Sequence, residues 1–393
     1  MDLSFIVMWL GFILASYSVV GNDVIQTLGT FLTSNETRMK WWVMWAFGAI
    51  ILTTALVNGY MMNDIDYGRL DKFDMPEVYH WYHLLPPLVL LTITRWGIPV
   101  STTFMILTLF SLSAIPNDFH SMLSSVFDTD TKLGGMIQKS IMGYIIAFLS
   151  SIVIYLVITK WTERRFLDNP IKDDANVSKL TLVLVTLVMG AISYFIMFSD
   201  FDAAIRIGAS AIIMAVIAIA GTMVNQEKFW TGFQWFTTGF LWYQWLTQDL
   251  ANIYIYLRGG EGLSTIGFIS SLAILLGLLA YIFYSKGGAV QKVVREKTNT
   301  ADIRSATFVD LIYGVILYIF KDNYLGLFEA KMPMSTTWVF IGLLAGRELA
   351  IRIHLDKKVK KKVAQMIFAD LGKVFFGLIV SVVLVFIIKM VAV

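Results

Sequence analysis

The sequence predicts an all-α polytopic membrane protein built from two inverted-topology repeats, with broken helices and helical hairpins meeting near the bilayer midplane. Three observations carry this. The 393 residues are 57% hydrophobic and only 15% charged, with a mean hydropathy of +0.69. Apolar stretches near the ~20 residues needed to span a bilayer recur along the whole length. The phrase Pro99-Val100-Ser101-Thr102-Thr103 returns as Pro333-Met334-Ser335-Thr336-Thr337, and each copy follows an apolar segment holding an aspartate, Asn22-Asp23 or Gln248-Asp249. Hydroxyl clusters and carboxylates at membrane depth are costly unless they serve a solute, and their duplication points to a transporter made of structural repeats.

Composition excludes several alternatives. A net charge of +3 gives no case for nucleic acid. Without cysteine there are no disulfides, thiolate metal sites or cysteine nucleophiles. The first apolar segment lacks a basic lead and a small-residue cleavage site, so it is expected to be a retained helix.

In chain order, apolar segments fall at about 3–32, 41–62, 78–95, 97–115, 136–160, 177–198, 203–224, 230–257, 263–285, 306–320, 333–353 and 364–392. Basic residues gather in the loops with Arg38 and Lys40, with Lys160, Arg164, Arg165 and Lys172, with Lys286, Lys292, Arg295 and Lys297, and finally with Arg347, Arg352, Lys357, Lys358 and Lys360 to Lys362. Acidic loops hold Asp64, Asp66, Asp71 and Asp74, then Asp118, Asp128 and Asp130, then Asp200 and Asp202. With the N-terminus outside, and with 78–115 and 306–353 each returning to the side they entered from, every strongly basic loop lies in the cytoplasm. Both termini are then external. The segments 3–32 and 230–257 enter from opposite faces, so residues 1–160 and 230–393 form inverted repeats joined by connecting helices in 161–229. Inversion brings equivalent sites to one midplane axis. Charge parity leaves open whether the paired segments span or re-enter. Arg95, in the link before Pro99, must reach protein, water or a headgroup region.

Proline at the start of Pro-x-Ser-Thr-Thr suits the first turn of a half-helix whose free amides and positive dipole end face a cavity. Three adjacent hydroxyls add donors there, fitting a tetrahedral oxyanion. The alternative is ordinary membrane-helix Ser and Thr bonding back to backbone. Asn22-Asp23 with Gln26, and Gln248-Asp249 with Asn252, set a carboxylate beside amide oxygens. This suits a small hard cation such as Na⁺, or a proton on the carboxylate; otherwise these are buried capping aspartates. His80 and His83 share a helix face, but beside Trp81 and Tyr82 they read as interfacial anchors rather than metal ligands. Asp310, inside an apolar run, is a further candidate unless it pairs with Arg304 or Lys321. The Lys357–Lys362 run reads as an orientation signal or lipid-headgroup contact.

At these residues the chain resembles the inorganic phosphate transporter family of cation-coupled symporters. That family carries Gly-Ala-Asn-Asp-Val-Ala-Asn and then Pro-Val-Ser-Thr-Thr-His in each half. Here the first motif reads Val20-Gly21-Asn22-Asp23-Val24-Ile25-Gln26 and Leu246-Thr247-Gln248-Asp249-Leu250-Ala251-Asn252. Phe104 and Trp338 stand where the second ends in histidine. The segment Thr300-Ala301-Asp302-Ile303-Arg304-Ser305 is similar to the family's polar lead-in to its second hairpin. The resemblance implies import of inorganic phosphate across the plasma (inner) membrane, Na⁺ as the co-transported ion, no tightly bound cofactor, and a homodimer. It implies a phosphate site of Ser101, Thr102, Thr103, Ser335, Thr336 and Thr337, with Asp23, Asp249, Gln26 and Asn252. The Na⁺ ligands would be Asn22, Asp23, Gln248 and Asp249. Hydrogen phosphate keeps a proton that an aspartate can accept, whereas sulfate only accepts; this favours phosphate. The other readings are a sulfate or other oxyanion permease, proton coupling, an intramembrane enzyme with Asp23 and Asp249 as an acid–base dyad, and a passive anion channel.

Overall fold

The computed structural model describes residues 2–158 apart from 74, 97, 99 and 115–118, then 205, 227–258, 263–286, 303–321, 326, 331–355 and 360–392. The expected connecting segments 177–198 and 203–224 lie outside the described residues except for 205, as do the basic clusters at 160–172 and 287–297. Five described stretches are long and apolar enough to cross a membrane: Leu3–Val24, Trp41–Met61, Leu123–Leu156, Thr265–Tyr284 and Ile367–Val391.

Helix α1 (Leu3–Asn35) runs for 33 residues, about 50 Å. The sequence predicts broken helices at the aspartates, and α1 instead passes straight through Asn22-Asp23. Polar side chains here find lateral partners, so the backbone has no need to unwind. Asn22 Nδ2 donates to the Val100 carbonyl at 2.7 Å, and the Thr27 hydroxyl bonds back to the Asp23 carbonyl at 3.2 Å. In the second half, α7 (Glu227–Asp249) stops at the aspartate and α8 (Ala251–Tyr254) resumes. Leu250 between them keeps helical angles, φ −56° and ψ −29°, so the interruption is an offset rather than an unwound stretch.

The two aspartate-bearing helices are antiparallel. At one end of the pair Arg38 meets Glu227 at 2.6 Å, and at the other Phe12 packs edge-on against Tyr254 at 5.7 Å. Helices α2 (Trp41–Met61) and α9 (Thr265–Tyr284) repeat the arrangement. Trp41 packs on Tyr284 at one end, and Tyr60 OH bonds Thr265 Oγ1 at 2.9 Å at the other. Each contact joins ends that the charge rule assigns to the same face.

The two hairpins differ. In the first, Pro86 and Pro87 start α3 (Leu85–Arg95), where missing amide protons cost nothing. At 11 residues α3 covers only about 16 Å, and α4 (Thr102–Leu107) is shorter still, so neither crosses alone. Arg95 is exposed at the end of α3. The 3-10 turn Trp81–Leu84 precedes it; α5 (Phe119–Phe127) follows the hairpin. In the second hairpin α10 (Ile303–Lys321) is a full-length arm of 19 residues. It reaches the loop after α2, where Lys321 lies 5.1 Å over the Tyr67 ring and Lys331 pairs with Asp71 at 3.3 Å. The chain then returns inward to Ser335, where α11 (Thr336–Leu355) begins.

Close packing fixes that return. Helix α6 (Lys132–Ile158) lies against α11, and the Ser151 hydroxyl donates to the Leu343 carbonyl at 2.8 Å. Gly342 and Gly346, four apart, make the approach possible: a Cβ at Gly342 would lie 2.5 Å from the Tyr144 carbonyl oxygen, and one at Gly346 would collide with that of Phe148. Helix α12 (Lys360–Ala392) closes the other side, with Phe375 edge-on to Trp338 at 5.3 Å.

Candidate functional site

Both Ser-Thr-Thr motifs start helices. Ser101 caps α4 by accepting from the Phe104 amide at 3.2 Å, and Ser335 caps α11 by accepting from the Trp338 amide at 3.3 Å. A capping hydroxyl accepts through its oxygen and keeps its own proton to donate. The two caps face one region. Phe104 and Trp338, the residues just after the motifs, pack edge to face at 5.7 Å. The Thr337 hydroxyl donates to the Val100 carbonyl at 3.4 Å, the same oxygen that accepts from Asn22.

Around that meeting point the aspartates are held by hydroxyls and amides. Thr102 Oγ1 donates to Asp23 Oδ2 at 2.6 Å, and Asn22 Nδ2 to Asp23 Oδ1 at 2.6 Å. Gln26 Nε2 reaches the same Oδ1 at 3.3 Å. Across the interface, Thr103 Oγ1 lies 3.3 Å and Asn252 Nδ2 2.9 Å from Asp249 Oδ1. The Tyr313 hydroxyl donates to the Thr336 carbonyl, at the start of the second motif, at 3.0 Å. Asn252 Nδ2 also sits 3.2 Å from both Thr102 and Thr103. The two carboxylates act on each other electrostatically. Every one of these side chains is at most 3% exposed.

The donor set leaves oxygens over. Asn22 Oδ1, Gln26 Oε1 and Asn252 Oδ1 are buried and have no hydrogen-bond partner. Buried acceptors without donors are costly, and three of them beside two carboxylates match the oxygen shell of a hard cation. Asn22, Asp23 and Asp249 therefore fit the cation chemistry read from the sequence, as do Gln26 and Asn252. Gln248 does not join them: its amide donates to the Leu317 carbonyl at 3.0 Å, toward α10.

Asp310 stands apart from this cluster in a polar seam between α1 and α7. It accepts from Thr30 and from Thr238, both at 2.6 Å. Farther along, Asn35 donates to Gln234 at 2.8 Å and Gln234 to Ser34 at 2.5 Å. The sequence reading missed these partners because single hydroxyls and amides within apolar helices carry no motif. His80 and His83 brace their own turn, His80 N–H to His83 Nδ1 at 3.0 Å, and no metal-type cluster of His, Cys, Asp and Glu occurs among the described residues.

The fold and the buried polar centre together define an all-α polytopic membrane protein. Its architecture has a solved counterpart described as the sodium-dependent phosphate transporter, which superimposes with a TM-score of 0.56 and covers 100% of both chains at 17% identity. At that identity the likeness is one of fold. No protein-family profile matches the chain, and no curated protein sequence does.

Proposed function

We propose that this protein is a cation-coupled symporter that imports inorganic phosphate, with Na⁺ as the coupling ion. The carrying observation is the first Ser-Thr-Thr motif bridging Asp23 and Asp249 while the second meets it at the Val100 carbonyl, with three amide oxygens left for a cation. The Ser101 and Ser335 hydroxyl protons and the helix-start amides suit the oxygens of a desolvated anion, and the carboxylates with Asn22, Gln26 and Asn252 suit Na⁺. The fold it shares with a sodium-dependent phosphate transporter supports the same reading. The cluster's position between antiparallel helices supports alternating access around one shared site.

An acid–base dyad would need one proton shared by the two carboxylates. Here each carboxylate holds its own hydroxyl and amide, which supports binding rather than catalysis. The test is uptake of radiolabelled phosphate by proteoliposomes under an inward Na⁺ gradient, with sulfate as competitor. Gradient-driven uptake that resists excess sulfate is expected. Uptake abolished by sulfate would make the protein a broader oxyanion permease, and uptake without any gradient would make it a channel.

A further inference from the structure

The two halves of the chain are clamped together at the face that the charge pattern assigns to the outside. The loop after α2, residues 62–73, belongs to the first half, and Arg258 and Lys331 belong to the second. Arg258 Nη1 meets Asp66 Oδ2 at 2.9 Å and its Nη2 meets Asp71 Oδ1 at 2.8 Å, while Lys331 Nζ lies 3.3 Å from Asp71 Oδ2. Two cations from one half thus hold two carboxylates from the other. Asp66 is buried, and it also shapes its own loop by accepting from the Leu70 amide at 2.8 Å. Deeper in this loop Arg69 reaches the Met332 carbonyl at 3.4 Å, beside Lys139 Nζ at 2.9 Å from the same oxygen. The loop therefore extends from the outer surface to the lead-in of the second motif.

Behind the clamp lies a cavity of about 230 Å³, whose walls include Tyr60, Asn63, Asp66, Tyr254, Leu257 and Arg258. Tyr254 lies on α8, two residues on from Asn252 of the buried centre. We infer that Arg258, Asp66, Asp71 and Lys331 form the outer gate of the transport path, closed in this structure, and that the cavity behind them is where the solute enters. This rests on the symporter reading above. Alternating access opens the central site to one face at a time, so contacts that join the halves at the outer face must break in each cycle. Ion pairs near solvent are individually weak and exchange readily for water, so a gate made of them opens without unfolding its loop.

The chain's lack of cysteine makes the gate testable. Asp71→Cys combined with Lys331→Cys sets two thiols across it at exposed positions, and a short bis-methanethiosulfonate crosslinker bridges them. Phosphate uptake by the crosslinked, reconstituted protein should be lost and should return on reduction, while either single-cysteine variant should respond little to the reagent. In detergent, Arg258→Gln and Asp66→Asn should each speed thiol labelling of Leu257→Cys, in the cavity wall, several-fold, and Arg258→Lys should speed it less. Labelling of Thr237→Cys, at a buried position of α7, should not rise with it. Undiminished uptake by the crosslinked protein overturns the inference. So does unchanged Leu257→Cys labelling in the Gln and Asn variants, or an equal rise at both cysteines. Absence of phosphate uptake by the wild-type protein in any gradient would overturn the functional reading itself, and the labelling arm, which needs no phosphate, still decides the gate.

Discussion

Thr103 of the first motif lies 3.3 Å from the carboxylate of Asp249, a residue on the opposite half of the chain. The first half's motif therefore completes the polar cluster around the second half's aspartate. The Thr103 hydroxyl also accepts from Asn252 at 3.2 Å, so it links the anion-type motif to the cation-type cluster.

Thr103→Val keeps the shape and removes that link. Phosphate affinity should fall by about 1–3 kcal/mol, roughly 5- to 150-fold in Kd. The comparison is Thr54→Val on α2, whose hydroxyl bonds only its own helix carbonyl at 2.8 Å and should leave binding unchanged. Binding of labelled phosphate to purified protein reads both; equal affinity in the two variants would take Thr103 out of the site.

The carboxylates should report on the cation more than on the anion. Asp23→Asn and Asp249→Asn are each expected to shift Na⁺ activation to higher concentration while leaving the order of anion preference intact. Uptake measured against Na⁺ concentration at fixed phosphate decides this. If wild-type uptake follows an imposed pH gradient and ignores Na⁺, the carboxylates carry protons and the cation assignment is wrong.

Gly342→Ala tests the packing that sets the second motif. The new methyl would have to move the Tyr144 backbone on α6, a rigid neighbour, so a loss of about 1–3 kcal/mol is expected. Gly372 on α12 has nothing within 4 Å of its Cβ position, and alanine there should be neutral or slightly stabilising. Thermal unfolding in detergent compares them; equal midpoints would contradict the close α6–α11 contact.

Orientation can be read from single cysteines, because the chain has none. Asp66 is a poor reporter, being 2% exposed beneath Arg258. Exposed positions are better: Met62 and Asp128 should label from outside intact cells with an impermeant thiol reagent, whereas Thr37 and Ser285 should label only after the membrane is opened. External labelling at Thr37 or Ser285 would overturn the assigned orientation. Labelling of Met62 and Ser285 from the same side would overturn the antiparallel crossing of α2 and α9.

Much of this centre was legible in the sequence, and the reasons are physical. Serines, threonines and aspartates stand out in apolar helices because the bilayer makes them costly, so Ser101, Asp23 and their counterparts were visible as exceptions. The opposed directions of α1 and α7 followed from where lysines and arginines gather. Other features left no such trace. Arg69 sits in an acidic loop, where an arginine reads as solvated, and only the fold turns it inward. Lys139 lies at the edge of an apolar segment, where snorkelling is the default. The continuity of α1 was hidden because Gly21 suggests a break, while the partner that removes the need for one, the Val100 carbonyl, is remote in sequence. The partners of Asp310 were hidden likewise: Thr30 and Thr238 lie on two other helices, while the sequence offered Arg304 and Lys321 nearby.

The most direct measurement of a single shared site is equilibrium binding of labelled phosphate to the purified protein, in NaCl and in choline chloride, for wild type, Ser101→Ala and Ser335→Ala. Each substitution removes one cap and one potential anion donor, one from each half. Saturable binding that requires Na⁺, to one site per chain, weakened by about 1–3 kcal/mol by either substitution, is the expected result. Phosphate affinity unchanged in both variants, or no saturable binding in either salt, would contradict it.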